Sequence, residues 1–119
     1  MQSKKVGDRA EIIAIEYLQK HGYHIVDTNF KFGRFGEIDI IARLQDITVF
    51  IEVKYRSSER FGTPEESITP TKLFKFQKTM EYYCKKNNLN FEQIRFDIIT
   101  INKQDHKYRI THYKNQGFC

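Results

Sequence analysis

Two short runs carry the chemistry of this chain: Gly36-Glu37-Ile38-Asp39 and, 13 positions beyond Asp39, Glu52-Val53-Lys54. If each run is a β-strand, side chains alternate between faces, so Glu37 shares a face with Asp39 and Glu52 shares one with Lys54. Val49, Ile51 and Val53 then fall on the opposite face of a run that is otherwise nearly continuous in apolar residues. Such a run belongs in a central strand covered on both sides, where a carboxylate and an ammonium are costly unless they are paired or bind a cation. Taken alone, the hairpin is accounted for by an ordinary cross-strand ion-pair cluster of Asp39, Glu52 and Lys54. Glu11 changes the balance. With Ile15 and Leu18 at i+4 and i+7 it lies on or beside the apolar stripe of a helix that should face the sheet, so it is expected to converge with the strand residues in one cleft.

Hard oxygen ligands of this kind suit Mg²⁺ or Mn²⁺, which keeps waters and meets phosphate oxygens through its open positions. Asp39 and Glu52 are the expected ligands. Glu11 would hold Lys54 or a water from behind, and Glu37 would support a ligand or bind a second ion. Lys54, close to both cation and phosphate, would orient or deprotonate a water or stabilise charge in the transition state, which makes phosphodiester hydrolysis the reaction class. Arg56, Arg60 and Lys72 are candidates for phosphate contact, because Arg and Lys supply sequence-independent affinity for nucleic acid. The other lysines of the second helix read as a solvated face. Among the aromatics, Tyr82 and Tyr83 sit at helical spacing and read as core, which leaves Phe61 as the base-stacking candidate. The four histidines have no zinc spacing, and Asp97 reads as a salt-bridge partner.

The elements that must position these groups follow from periodicity. Gly7 to His21 is amphipathic at helical spacing, with Gly22 where a C-terminal cap belongs. Tyr23 to Phe30 reads as a strand, and Gly36–Arg43 with Thr48–Tyr55 as a β-hairpin. A connection of about 15 residues from Tyr55 to Thr69 has the length of a functional loop and is a candidate lid. Thr69-Pro70 caps a second helix running to Asn87, and Ile94–Ile101 and Tyr108–Tyr113 are two further strands. The order helix, three strands, helix, two strands predicts an α/β fold in which a mixed central sheet, with one parallel crossover, is flanked by helices.

At 119 residues, with 39% hydrophobic and 29% charged positions, the chain fits one globular domain over 1–119. Its net charge of +5 suits a polyanionic partner. Cys84 and Cys119 have no metal or disulfide spacing and read as reduced thiols of a cytoplasmic protein, and no apolar stretch is long enough to span a membrane.

The Asp39, Glu52-Val53-Lys54 arrangement resembles the PD-(D/E)xK nuclease superfamily, whose fold is restriction-endonuclease-like. Further matches are Gly7-Asp8-Arg9-Ala10-Glu11, Tyr17-Leu18, Gly22-Tyr23, Asn29, Gly36 to Ala42, Val49 to Lys54, Gly62-Thr63-Pro64, Thr69-Pro70, Lys72 and Arg95-Phe96-Asp97. As a set these resemble the YraN-type bacterial family over almost the full length. The resemblance implies a Mg²⁺- or Mn²⁺-dependent endonuclease with Glu11, Asp39, Glu52 and Lys54 as catalytic elements. The family is similar to archaeal Holliday-junction resolvases, which implies branched or structured DNA in preference to RNA, and a homodimer. Ile38 stands in place of the superfamily's proline, and Ala10 where YraN-type sequences usually carry glycine. Two other readings remain open: a nucleic-acid-binding module of the same fold without turnover, and an adaptor for DNA-processing machinery.

Overall fold

The computed structural model describes residues 2–56 and 69–116, with side chains from Arg9 onward. The expected lid between Tyr55 and Thr69 falls largely on 57–68, outside the described residues, as do Arg60, Phe61 and Cys119.

The first helix, α1 (Gln2–Lys20), begins five residues earlier than Gly7 suggests. A single interior glycine costs a helix about 1 kcal/mol and does not stop it. Its end is where the sequence puts it. Gly22, at φ +87°, donates to Gln19 O at 3.2 Å while Tyr23 N–H reaches back to Leu18 O at 3.0 Å, the double bond of a left-handed glycine cap. Leu18 and Tyr23 are both buried in one core cluster, so the cap also aims the chain into the first strand.

That strand, β1 (His24–Phe32), pairs antiparallel with β2 (Gly36–Leu44), and β2 pairs antiparallel with β3 (Ile47–Arg56). The β2–β3 hairpin closes through Gln45 and Asp46, with Leu44 opposite Ile47 and Gln45 at φ +56°. Thr69 then caps α2 (Pro70–Lys86), its side chain accepting from Lys72 N at 3.1 Å with proline in the first turn. The helix carries the chain across to β4 (Ile94–Gln104), which runs parallel to β3 in the register Thr48↔Ile94 to Arg56↔Asn102. A two-residue turn, with Asp105 at φ +57°, returns β5 (Lys107–Tyr113) antiparallel to β4. The order β1-β2-β3-β4-β5 makes the mixed five-stranded sheet that the element order requires. This α/β architecture is consistent with the nuclease-like fold expected from the sequence.

Two apolar layers hold the sheet. Ala14 and Leu18 of α1 pack with Ile40, Val49, Ile51 and Ile99 on one face. Phe76 and Met80 of α2 pack with Ile41, Phe50, Phe96 and Ile98 on the other. Strand β3 thus buries side chains on both faces, each worth roughly 1.5–3 kcal/mol. Among the described residues, no helix is long and apolar enough to cross a membrane.

Candidate active site

The β2–β3 ladder runs from Leu44↔Ile47 to Ile40↔Ile51. One residue further, the Asp39 side chain takes over: its Oδ2 accepts the backbone N–H of Val53 at 2.8 Å. The same carboxyl is hydrogen-bonded to that of Glu52, which alternation places on the α2 face of β3 with Phe50 and Lys54. Burial, then the hydrogen bond and charge of Asp39, push the Glu52 carboxyl up to about 9, against the opposing pull of Lys54 and Lys72. At neutral pH Glu52 therefore keeps its proton beside Asp39. Lys54 is pushed below its ordinary value, chiefly by burial. Lys72 adds to that through its like charge and a hydrogen bond, while Glu52 and Asp39 oppose it.

Asp39, Glu52 and Lys54 are thus gathered, and Lys72, from the first turn of α2, stands with them. Glu11 accepts from Asn29 Nδ2, at 3.2 Å through Oε1 and 3.4 Å through Oε2. Asn29, at φ +53°, lies between the pairs Thr28↔Ile40 and Phe30↔Ile38, level with Asp39, so Glu11 is tied to the row of the acidic pair through an edge-strand residue. Among the described residues, no three His, Cys, Asp or Glu side chains form a cluster able to hold a metal ion, so the acidic centre is a pair. Glu37 stands opposite Lys31 of β1. Arg56 follows Lys54 on the same face of β3.

The donor set suits a divalent cation. Mg²⁺ is commonly held by one or two carboxylates and completes its shell with water and substrate phosphate. A cation bound between Asp39 and Glu52 would take the place of the proton that Glu52 keeps. Beside the pair, Thr100 Oγ1 and Asn102 Oδ1 are buried with no hydrogen-bond partner among the described residues, and their residues are the neighbours of Lys54 and Arg56 on β4. Unsatisfied acceptors of this kind next to a polar cleft are what a bound water or ligand would complete.

Asp97 is more than the salt-bridge partner expected from its strand. Fully buried, it accepts from Arg95 Nε at 2.9 Å and Nη2 at 2.8 Å, from Asn115 N at 2.9 Å, and bonds His112 Nε2 at 2.7 Å. Nδ1 of His112 meets Tyr17 Oη at 3.1 Å, and Arg95 Nη2 donates to Tyr23 Oη at 2.6 Å. This network ties β4 and β5 to α1. Nothing in the spacing of the histidines signals it, because Tyr17 and His112 meet only in three dimensions.

A mixed α/β sheet in which neighbouring strands β2 and β3 each bring one acid to Lys54 and Lys72 marks the molecule as an α/β protein with a polar centre of acids and lysines. Its family follows from comparison with known proteins. The model of the uncharacterised protein family UPF0102 matches residues 10–101. The UPF0102 protein of Alkaliphilus oremlandii (strain OhILAs) is 41% identical over 115 residues, covering 95% of this chain and 97% of that one. Those of Syntrophomonas wolfei and Clostridioides difficile (strain 630) are 40% identical over 113 residues and 44% over 101. The chain belongs to the UPF0102 family, the YraN-type family its motifs resemble.

Proposed function

We propose that this protein is a nuclease of the PD-(D/E)xK type that hydrolyses phosphodiester bonds in nucleic acid, structured DNA in preference to RNA. The observation that carries the reading is the hydrogen-bonded Asp39–Glu52 pair set against Lys54 and Lys72. Asp39 and Glu52 would hold Mg²⁺ or Mn²⁺, which when bound supplies Lewis-acid polarisation of a phosphate oxygen. Lys54 Nζ, eased toward its neutral form, accepts the proton of the attacking water as the water oxygen bonds to phosphorus and the P–O ester bond breaks. The leaving oxygen takes its proton from solvent. Lys72 Nζ offsets charge building on the phosphate, with Arg56 and Arg60 as further contacts. Asp39, latched to Val53 N–H, keeps its orientation before substrate arrives. Glu11 steadies the edge strand beside Asp39 through Asn29. Glu37, on β2 with Asp39, would support a metal ligand or bind a second ion. The buried, unpaired Cys84 thiol supports a reducing, cytoplasmic setting.

The test is incubation with branched, single-stranded and duplex DNA and with RNA, with Mg²⁺ or Mn²⁺, beside Asp39→Ala and Lys54→Ala. Cleavage by the parent that both variants lose supports the reading, and cleavage unchanged in both would refute it. A competing reading, a binding module without turnover, would be established by binding without cleavage under every condition.

A further inference from the structure

The candidate active site occupies one end of α2, and the rest of that helix carries a second feature. Lys72, Lys75, Lys78, Tyr82 and Lys85 recur at three and four residues, so they form one stripe along its length. From Lys72 to Lys85 the stripe spans about 20 Å at the α-helical rise. Lys72, Lys75 and Lys78 are like charges at successive i, i+3 positions, an arrangement that destabilises a helix unless something anionic lies against it.

Where the stripe ends, the surface turns aromatic. Tyr82, 38% exposed, stacks on Phe32 with ring centroids 4.1 Å apart and planes within 5°. Phe35 continues the stack on Phe32 at 5.2 Å and 18°. Tyr82 and Phe32 line a groove of about 650 Å³, with Phe91, 40% exposed, and with Lys78 and Lys85 in its walls. Glu81 is the single acid among the described lining residues. A stack in which half-buried Phe32, held between Phe35 and Tyr82, backs the exposed Tyr82 ring, with exposed Phe91 and ammonium groups at its border, is well matched to a polyanion that carries flat rings.

We infer that this groove binds unpaired nucleotides of a nucleic-acid strand, the bases stacking on the Phe32–Tyr82 platform while the phosphates follow the lysines of α2 toward the Asp39–Glu52 pair. This deepens the nuclease reading by giving the substrate a single-stranded arm. It stands on binding alone, so loss of one reading does not entail loss of the other.

The experiment is fluorescence anisotropy of the full chain with labelled single-stranded DNA, single-stranded RNA and duplex DNA of one sequence, about 12 nucleotides long. EDTA is present throughout, so hydrolysis plays no part. The single strands carry one 2-aminopurine to report stacking. The expected result is tighter binding of a single strand, DNA or RNA, than of duplex, with quenching of the 2-aminopurine. Tyr82→Ala is expected to weaken binding about tenfold and abolish quenching, while Tyr82→Trp retains both. The doubly substituted Lys75→Gln/Lys85→Gln protein alters exposed side chains only, and it should weaken binding and lower the salt slope by roughly 1–2. If Tyr82→Ala does not fold by circular dichroism, the quenching and the lysine variant decide. Single-strand affinity no greater than duplex affinity, no quenching by the parent, or binding indifferent to both Tyr82→Ala and the lysine pair overturns the inference.

Discussion

Asp39 Oδ2 accepts the backbone N–H of Val53 at 2.8 Å, and Val53 stands between Glu52 and Lys54. One carboxylate therefore does two tasks: it closes the open end of the β2–β3 hairpin and forms half of the acidic pair. Asparagine keeps an acceptor for Val53 N–H but not the charge, whereas alanine keeps neither. Asp39→Asn should hold its stability within about 0.5 kcal/mol of the parent while losing Mn²⁺ binding by calorimetry. Asp39→Ala should lose the binding and also about 1–2 kcal/mol in urea denaturation.

Glu52 imposes a pH dependence of definite sign. Its carboxyl stands at about 9 in the folded protein against an ordinary 4.5, so the folded state holds an extra proton between those values. Stability is then fully present below the lower value and falls as pH rises toward the upper one. Metal-free protein should lose stability steadily across this range in urea titrations. Glu52→Gln should flatten the slope and be more stable at pH 8 by about 1–2 kcal/mol, at the expense of function.

The network around Asp97 is expected to dominate acid behaviour. Burial pushes this carboxyl up, but hydrogen bonds from His112, Arg95 and Asn115 N–H outweigh it and hold it below its ordinary value. Its contribution is present above the unfolded value and disappears as pH falls through the folded one. Asp97→Ala would leave Arg95 and His112 without their shared acceptor and should cost about 3–5 kcal/mol, read as a lower Tm at pH 7. As pH falls through the lowered folded value of Asp97, the gap between variant and parent should narrow.

Lys72 offers a test of the role given to Lys54. After burial, and against the pull of Glu52, its like charge and hydrogen bond help hold the Lys54 ammonium below its ordinary value. Lys72→Met removes that contribution, so Lys54 should keep its proton to a higher pH. If Lys54 must be neutral to act, the acid limb of the cleavage profile moves toward alkaline pH. A profile lowered in height but unmoved in pH would limit Lys72 to contact with the phosphate.

The order of elements, the cap of α2 and the alternating faces of β3 were legible because each is written in neighbouring residues. Thr69-Pro70 names a helix start wherever it occurs, and the run from Thr48 to Tyr55 names a strand buried on both sides. The ladder's end at Ile40↔Ile51 was not legible, nor was the Asp39 bond to Val53 that replaces it, since both depend on how far two antiparallel strands stay side by side in space. Helical spacing predicts Tyr82 in the core, yet it faces outward onto Phe32, a ring 50 positions earlier in the chain. His112 offered no motif, and its environment is made by Tyr17 and Asp97.

Parallel pairing of β3 with β4 has a consequence for assembly. The hairpin that bears Asp39 and Glu52 closes through two residues and can form early and locally, whereas Thr48 finds Ile94 only after the whole α2 crossover has been laid down. During synthesis Asp39, Glu52 and Lys54 emerge together, ahead of Lys72. Docking of α2 therefore both completes the sheet and brings the second lysine, Lys72, to the acidic pair.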